Sequence, residues 1–278
     1  AAAETSPELQ AVERAIAPLQ AAHDSATYMK AALFARVDAL HARRDALGLD
    51  PEQARLLDRV HLDFVRAGAR LAPAAQRRYA EIVERLATLT TQFAQNVLAD
   101  EAGFQLVLRT EADLAGLPDW LRDSARQAAI DRGIGDAWVV TLSMSSVEPF
   151  LTFSERRDLR EAAEAAWSSR GGHPGAQDNR PIVAEILRLR REQARLHGYA
   201  SYADYALADR MARTPAAVGD LLARVWAPAK ARAAGEAMEL VALARAHGET
   251  APIERWDWRY WAEKLRQRTY AIDDAEIK

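Results

Sequence analysis

The stretch Tyr79-Ala80-Glu81-Ile82-Val83-Glu84-Arg85-Leu86-Ala87-Thr88-Leu89-Thr90-Thr91-Gln92-Phe93-Ala94-Gln95-Asn96-Val97 decides the architecture. Its apolar residues Ile82, Val83, Leu86, Leu89, Phe93 and Val97 recur at steps of three and four, which places them on one face of a long helix. Upstream, Leu56, Leu57, Val60 and Phe64 form a similar stripe. Between the two stripes, Ala67-Gly68-Ala69-Arg70-Leu71-Ala72-Pro73 breaks the period, so the helices are expected to fold back as an antiparallel pair. A further helix is expected over Met29 to Leu47. Ser6-Pro7, Asp50-Pro51 and Thr214-Pro215 each place a capping side chain before a proline at the first helical position.

The middle of the chain changes character. Phe104-Gln105-Leu106-Val107-Leu108 alternates, and Trp138-Val139-Val140-Thr141-Leu142 is short and β-branched, so both read as strands. Pro118 to Arg132 reads as a helix between them, which predicts one small sheet. Helical patterning resumes after Ser154, with starts near Pro181, Ser201, Thr214 and Asp257. The expected fold is therefore mainly α, multi-helix, with a two- or three-stranded β insert. Its expected divisions are a helical hairpin region over 1–102, a mixed β/α insert over 103–153 and a second helical region over 154–278.

The 278 residues are 49% hydrophobic and 28% charged, the balance of a globular chain able to bury a core. A net charge of −3, with arginines scattered among acids, argues against nucleic acid and anionic membrane as partners. No apolar run is long enough to span a bilayer. There is no cysteine, which excludes disulfides, a thiol nucleophile and thiolate metal ligands, and fits a reducing compartment. A cytoplasmic setting is expected, with a periplasmic one left open. The first residue is not Met, so an upstream segment is expected.

Residues suited to catalysis do not form a recognisable motif. Of the six histidines, His23, His41, His61, His173, His197 and His247, none lies in His-Glu-x-x-His or Glu-x-x-His. The nearest groupings are Asp38, His41 and Asp45, then Asp58, His61 and Asp63; local ion pairing on a charged helix face explains both. Ser143-Met144-Ser145-Ser146 has no assigned base, and Gly171-Gly172-His173-Pro174-Gly175 lacks the lysine of a phosphate loop. No residue of this chain is expected to be catalytic, to bind a cofactor or to ligate a metal.

Near the end, Trp256, Trp258, Tyr260 and Trp261 crowd four rings into six residues. With Asp257 as N-cap, Trp258, Trp261 and Leu265 would share the stripe turned toward the helical core, leaving Trp256 or Tyr260 stranded. Anchoring of a helix in a core or interface explains such a cluster better than stacking on bases or sugars.

Several stretches together resemble a known family. Leu187-Arg188-Leu189-Arg190-Arg191-Glu192-Gln193-Ala194-Arg195-Leu196-His197-Gly198-Tyr199-Ala200-Ser201-Tyr202-Ala203, Met211-Ala212-Arg213-Thr214-Pro215-Ala216-Ala217-Val218 and Trp256-Asp257-Trp258 with the Tyr270 to Lys278 tail carry the likeness. Supporting it are Asp63 to Ala69, Leu89 to Val97, Leu114 to Pro118 and Asp178-Asn179-Arg180. In order, they resemble the thimet oligopeptidase family of zinc metallopeptidases, most closely its bacterial peptidyl-dipeptidase branch. His197 departs from the pattern, where an apolar residue is expected. The resemblance implies a neurolysin-like helical domain and a channel that admits short peptides. It also implies a zinc held by a His-Glu-x-x-His helix and a downstream Glu, none of which lies in this sequence. Zinc is thus expected in the complete enzyme and not in this chain. The terminal aromatic cluster is expected to pack on the missing catalytic half. A stand-alone α-helical scaffold or peptide-binding protein is the alternative.

Overall fold

The computed structural model describes residues 6–270. The part of the Tyr270 to Lys278 tail beyond Tyr270 lies outside the described residues. Within them the chain forms eleven α-helices and one two-stranded antiparallel sheet, the mainly helical fold with a small β insert expected from the sequence. The three proline-marked starts all cap helices. Ser6 accepts from the Leu9 amide at α1 (Pro7–Tyr28), and Thr214 accepts from the Ala217 amide at α10 (Pro215–Ala246). Asp50 forms a reciprocal capping box with Gln53 at α3 (Pro51–Arg66). The chain divides into two compact units, one of residues 1–96 and 178–220, the other of 97–177 and 221–278.

In the first unit α2 (Ala31–Ala42) packs on α3. Phe34 stacks on Phe64 and His41 on His61, with ring centroids 6.0 and 3.8 Å apart. The buried side of α3 therefore carries Leu57, His61 and Phe64, while Leu56 and Val60 from the predicted stripe face outward. A histidine takes a core position because its ring nitrogen has a carboxylate partner across the helix pair. α4 (Pro73–Gly103) meets α3 near its start, where the Tyr79 hydroxyl donates to the Arg66 carbonyl at 2.8 Å.

α4 packs against α8 (Arg180–Leu196). Ile82 and Leu89 pack against Ile182, Ile186 and Leu189. Arg78 forms a two-pronged pair with Glu192, Arg85 does so with Glu185, and Asn96 donates to Asn179 at 2.8 Å. Residue numbers fall on one helix as they rise on the other, so the two run antiparallel. Asn179 is buried and donates in turn to the Phe93 carbonyl, which ties the start of α8 to α4. α9 (Tyr202–Leu207), capped by Ser201, contributes the buried Tyr205.

The second unit is built on β1 (Leu106–Leu108) and β2 (Trp138–Val140), paired antiparallel with Leu106 opposite Val140. α5 (Asp119–Asp131) connects them, as the sequence predicts. α6 (Met144–Phe153) and α7 (Arg157–Ser168) complete a core of Leu108, Leu121, Val140, Val147, Phe150 and Ala163. α6 is absent from the sequence reading because Pro149 interrupts it and its serine-rich start resembles a loop. Yet Val147, Phe150 and Leu151 sit at helical spacing and are almost fully buried. Gly116, at φ +81°, lies so close to the α6 end that a Cβ would sit 2.3 Å from the Phe153 carbonyl oxygen. Phe150→Ala is expected to destabilise this unit by about 3–5 kcal/mol, and Gly116→Ala to destabilise it as well; urea unfolding of each variant checks both.

Candidate functional site

The histidine groupings singled out in the sequence come together, but with exchanged partners. The imidazole of His41 donates from Nε2 to Asp58 at 3.1 Å, and His61 donates from Nε2 to Asp38 at 2.9 Å. Each of α2 and α3 thus supplies one histidine and one carboxylate to the other. Arg70 donates to Asp38 at 2.8 Å, and hydrogen bonds from His61 and Arg70 hold the Asp38 carboxyl below its usual range. Asp45 and Asp63 stay with the neighbouring arginines Arg44 and Arg59. Among the described residues no group of three histidines or acids is placed to hold a metal ion. The arrangement is a polar clasp between two helices.

The serines behave similarly. The Ser143 hydroxyl lies 3.0 Å from that of Thr141 and 3.3 Å from that of Ser145, while Ser146 accepts from the Thr141 amide. These bonds fasten the turn from β2 into α6 and supply no base to a nucleophile. The loop at 171–175 is held by Asp100, which accepts from the Gly171 amide at 2.6 Å, and by an Arg170–Glu101 ion pair. His197, the residue outside the family pattern, stacks on Tyr205 and meets Tyr79 edge-on. Burial pushes its pKa down, and the nearby Arg66 adds to that.

The aromatic segment builds the most elaborate site. α11 (Arg255–Tyr270) starts two residues before Asp257, so Asp257 lies within its first turn and is not its N-cap. That carboxylate is only 1% exposed. Arg157 grips it from Nε and Nη2 at 2.8–3.1 Å, Arg160 donates from Nη2 at 2.7 Å, and the Glu254 amide donates at 3.1 Å. Burial pushes the Asp257 carboxyl up, but these hydrogen bonds together outweigh it, and its pKa is lowered. Arg160, also buried, donates from Nη1 to the Ser154 carbonyl and from Nε to the Trp256 carbonyl and lies 4.3 Å above the Tyr260 ring. Every lone pair that could abstract a proton is engaged by a cation or an amide, so the site anchors a helix.

This anchor fixes the rotation of α11 and corrects the expected face. Trp261 is buried against Leu240, Leu243 and Ala244 of α10, and Trp256 and Tyr260 are half-buried. Trp258, predicted to face the core, is the exposed ring of the four at 38%. It joins Leu265, Thr269 and Tyr270 on one side of a groove of about 310 Å³, with Arg232, Glu236 and Glu239 of α10 on the other. The groove combines apolar walls with mixed charge. Arg157 and Arg160 escaped the sequence reading; their signal was a pair of arginines three apart on one helix face.

Residues 150–278 match the model of peptidase family M3. The whole chain is 36% identical, over 277 residues, to a dipeptidyl carboxypeptidase of Salmonella typhimurium and 34% identical to one of Escherichia coli; it spans 41% of the length of each. An oligopeptidase A of Haemophilus influenzae is 35% identical over 230 residues, which are 81% of this chain and 34% of that protein. The later part of the chain thus resembles peptidase family M3, and the chain spans about two fifths of the length of the two dipeptidyl carboxypeptidases.

Asp257→Asn should leave the buried Arg160 and the half-buried Arg157 with a weakened partner and cost about 3–5 kcal/mol, read by chemical denaturation. The folded pKa of Asp257 lies below the unfolded value of about 3.9. Its contribution is therefore complete above that pH and is lost as the pH falls through the lower folded value. The gap in stability between wild type and Asp257→Asn should accordingly close in acid below about pH 4, as unfolding curves at a series of pH values would record.

Proposed function

We propose that this chain is the non-catalytic helical portion of a zinc-dependent oligopeptidase or peptidyl-dipeptidase that hydrolyses short peptides in a deep channel. The observation that carries this reading is similarity over the full chain to two dipeptidyl carboxypeptidases, each of which extends well beyond the matched part. In this reading the zinc ligands and the glutamate that activates water lie in sequence outside these 278 residues. The donor groups described here do not fit a zinc site: the histidines of the helix clasp are each committed to one aspartate. No reaction step is therefore assigned to a residue of this chain. Its part is structural, forming helical wall and a seat for the catalytic portion, with the aromatic segment of α11 packing on that portion. The expected partners are short peptides, without nucleic acid or membrane; no described helix is long and apolar enough to cross a bilayer. The compartment we propose is the cytoplasm.

The test uses the complete protein and the 278-residue chain side by side on short peptides, with products identified by mass. The complete protein should release C-terminal dipeptides or cleave internally, lose activity to a chelator and regain it with zinc. The 278-residue chain should cleave nothing and retain no zinc through gel filtration. A zinc-dependent peptidase activity of the short chain would overturn the division of labour. A complete protein that neither binds zinc nor cleaves peptides would leave the helical-scaffold reading in its place.

A further inference from the structure

α10 carries apolar residues along one face, interrupted by Glu236, and only one end of that face is covered. Leu222, Val225, Ala229, Ala233, Leu240 and Leu243 follow one another at multiples of the helical period. Leu240 and Leu243 are each 2% exposed, sealed by Trp261 of α11. The other end is bare: Leu221, Leu222, Val225 and Trp226 are 54–70% exposed. Four large side chains at that exposure present about 400–500 Å² of apolar surface, at the scale of roughly 150–250 Å² for a large ring. That is as large as the biggest patch on a typical monomer, and such patches are often functional. The same segment contains Pro228, which removes a backbone hydrogen bond from a helix that has little packing there to support it.

The direction of α11 indicates what covers this face. Trp261 meets Leu243 and lies 5.6 Å from the His247 ring, whereas Thr269 and Tyr270 line the groove beside Arg232 and Glu236. α11 therefore runs antiparallel to α10, and its last residues lie beside Arg232, about 9 Å of helix axis from Trp226. Between the surface buried by α11 and the bare face lie the exposed Ala229 and Ala233 and the Arg232–Glu236 ion pair. A second copy is a poor fit, because a stable dimer buries about 800 Å² per partner. A segment of the same polypeptide does not face the entropy cost of association and can be held by a smaller patch.

We propose that the face formed by Leu221, Leu222, Val225 and Trp226 is the docking surface for polypeptide that follows α11 in the complete protein, an amphipathic helix that extends the cover begun by α11. The proposal rests on the family reading, since the relatives are more than twice the length of this chain.

Hydroxyl-radical footprinting and photo-crosslinking test it together, on the complete protein and on the 278-residue chain. In the short chain the four residues should be oxidised readily. In the complete protein they should be protected to the level of Leu240 and Leu243. Benzoylphenylalanine substituted for Trp226 in the complete protein should crosslink to sequence beyond Lys278. Equal oxidation in both proteins overturns the proposal, as does a crosslink to a second copy or to a segment upstream of Ala1. Protection that rises with concentration in the short chain, with sedimentation as a dimer, also overturns it. Leu222→Asp with Trp226→Asp should lower the Tm of the complete protein and leave that of the short chain unchanged; an equal drop in both counts against docking. Loss of the family reading would appear separately, as a complete protein without zinc or peptide cleavage, whatever the footprint.

Discussion

The carboxylate of Asp257 governs the second unit. A buried charge is tolerated only when it is fully paired, and here two arginines from α7 and one amide meet it. That pairing fixes how α11 is rotated about its axis. From the rotation follow the burial of Trp261 against α10, the stacking of Arg160 on Tyr260 and the exposure of Trp258. Hydrophobicity alone ranks the tryptophans together. The ion cluster separates them into one core residue and one groove residue.

The first unit uses polar contacts differently. Its helix pairs are driven together by Ile82, Leu89, Ile186 and Leu189, and by Phe34 on Phe64. The Arg78–Glu192 and Arg85–Glu185 pairs lie at the margin, where exposed ion pairs each contribute at most about 1 kcal/mol. Their value is register: two-pronged contacts between particular residues select one antiparallel alignment of α4 and α8 over its one-turn neighbours. The crossed His41–Asp58 and His61–Asp38 bonds act in the same way on α2 and α3.

Residues 150–278, which match peptidase family M3, hold both the Asp257 cluster and the groove between α10 and α11. Among the described residues the satisfied polar clusters bind helix to helix, and a bare apolar face lies on α10.

Sequence by itself determined the helical class, the two strands and their intervening helix, the capped starts at Ser6, Asp50 and Thr214, and the likeness to a peptidase family. These are legible because caps, periodicity and motif order are local properties of the chain. It did not reveal α6, whose proline and serines mimic a loop until β2, α5 and α7 bury Val147 and Phe150. Nor did it reveal which histidine meets which aspartate, since both groupings satisfy the same local spacing and the choice is made across two helices. The face of α11 was also beyond it: Asp257 reads as a helix cap, and only Arg157 and Arg160, about a hundred residues earlier in the chain, turn it into a buried anchor. Tertiary structure decided these points because each depends on a partner distant in sequence, and no local pattern records which partner arrives.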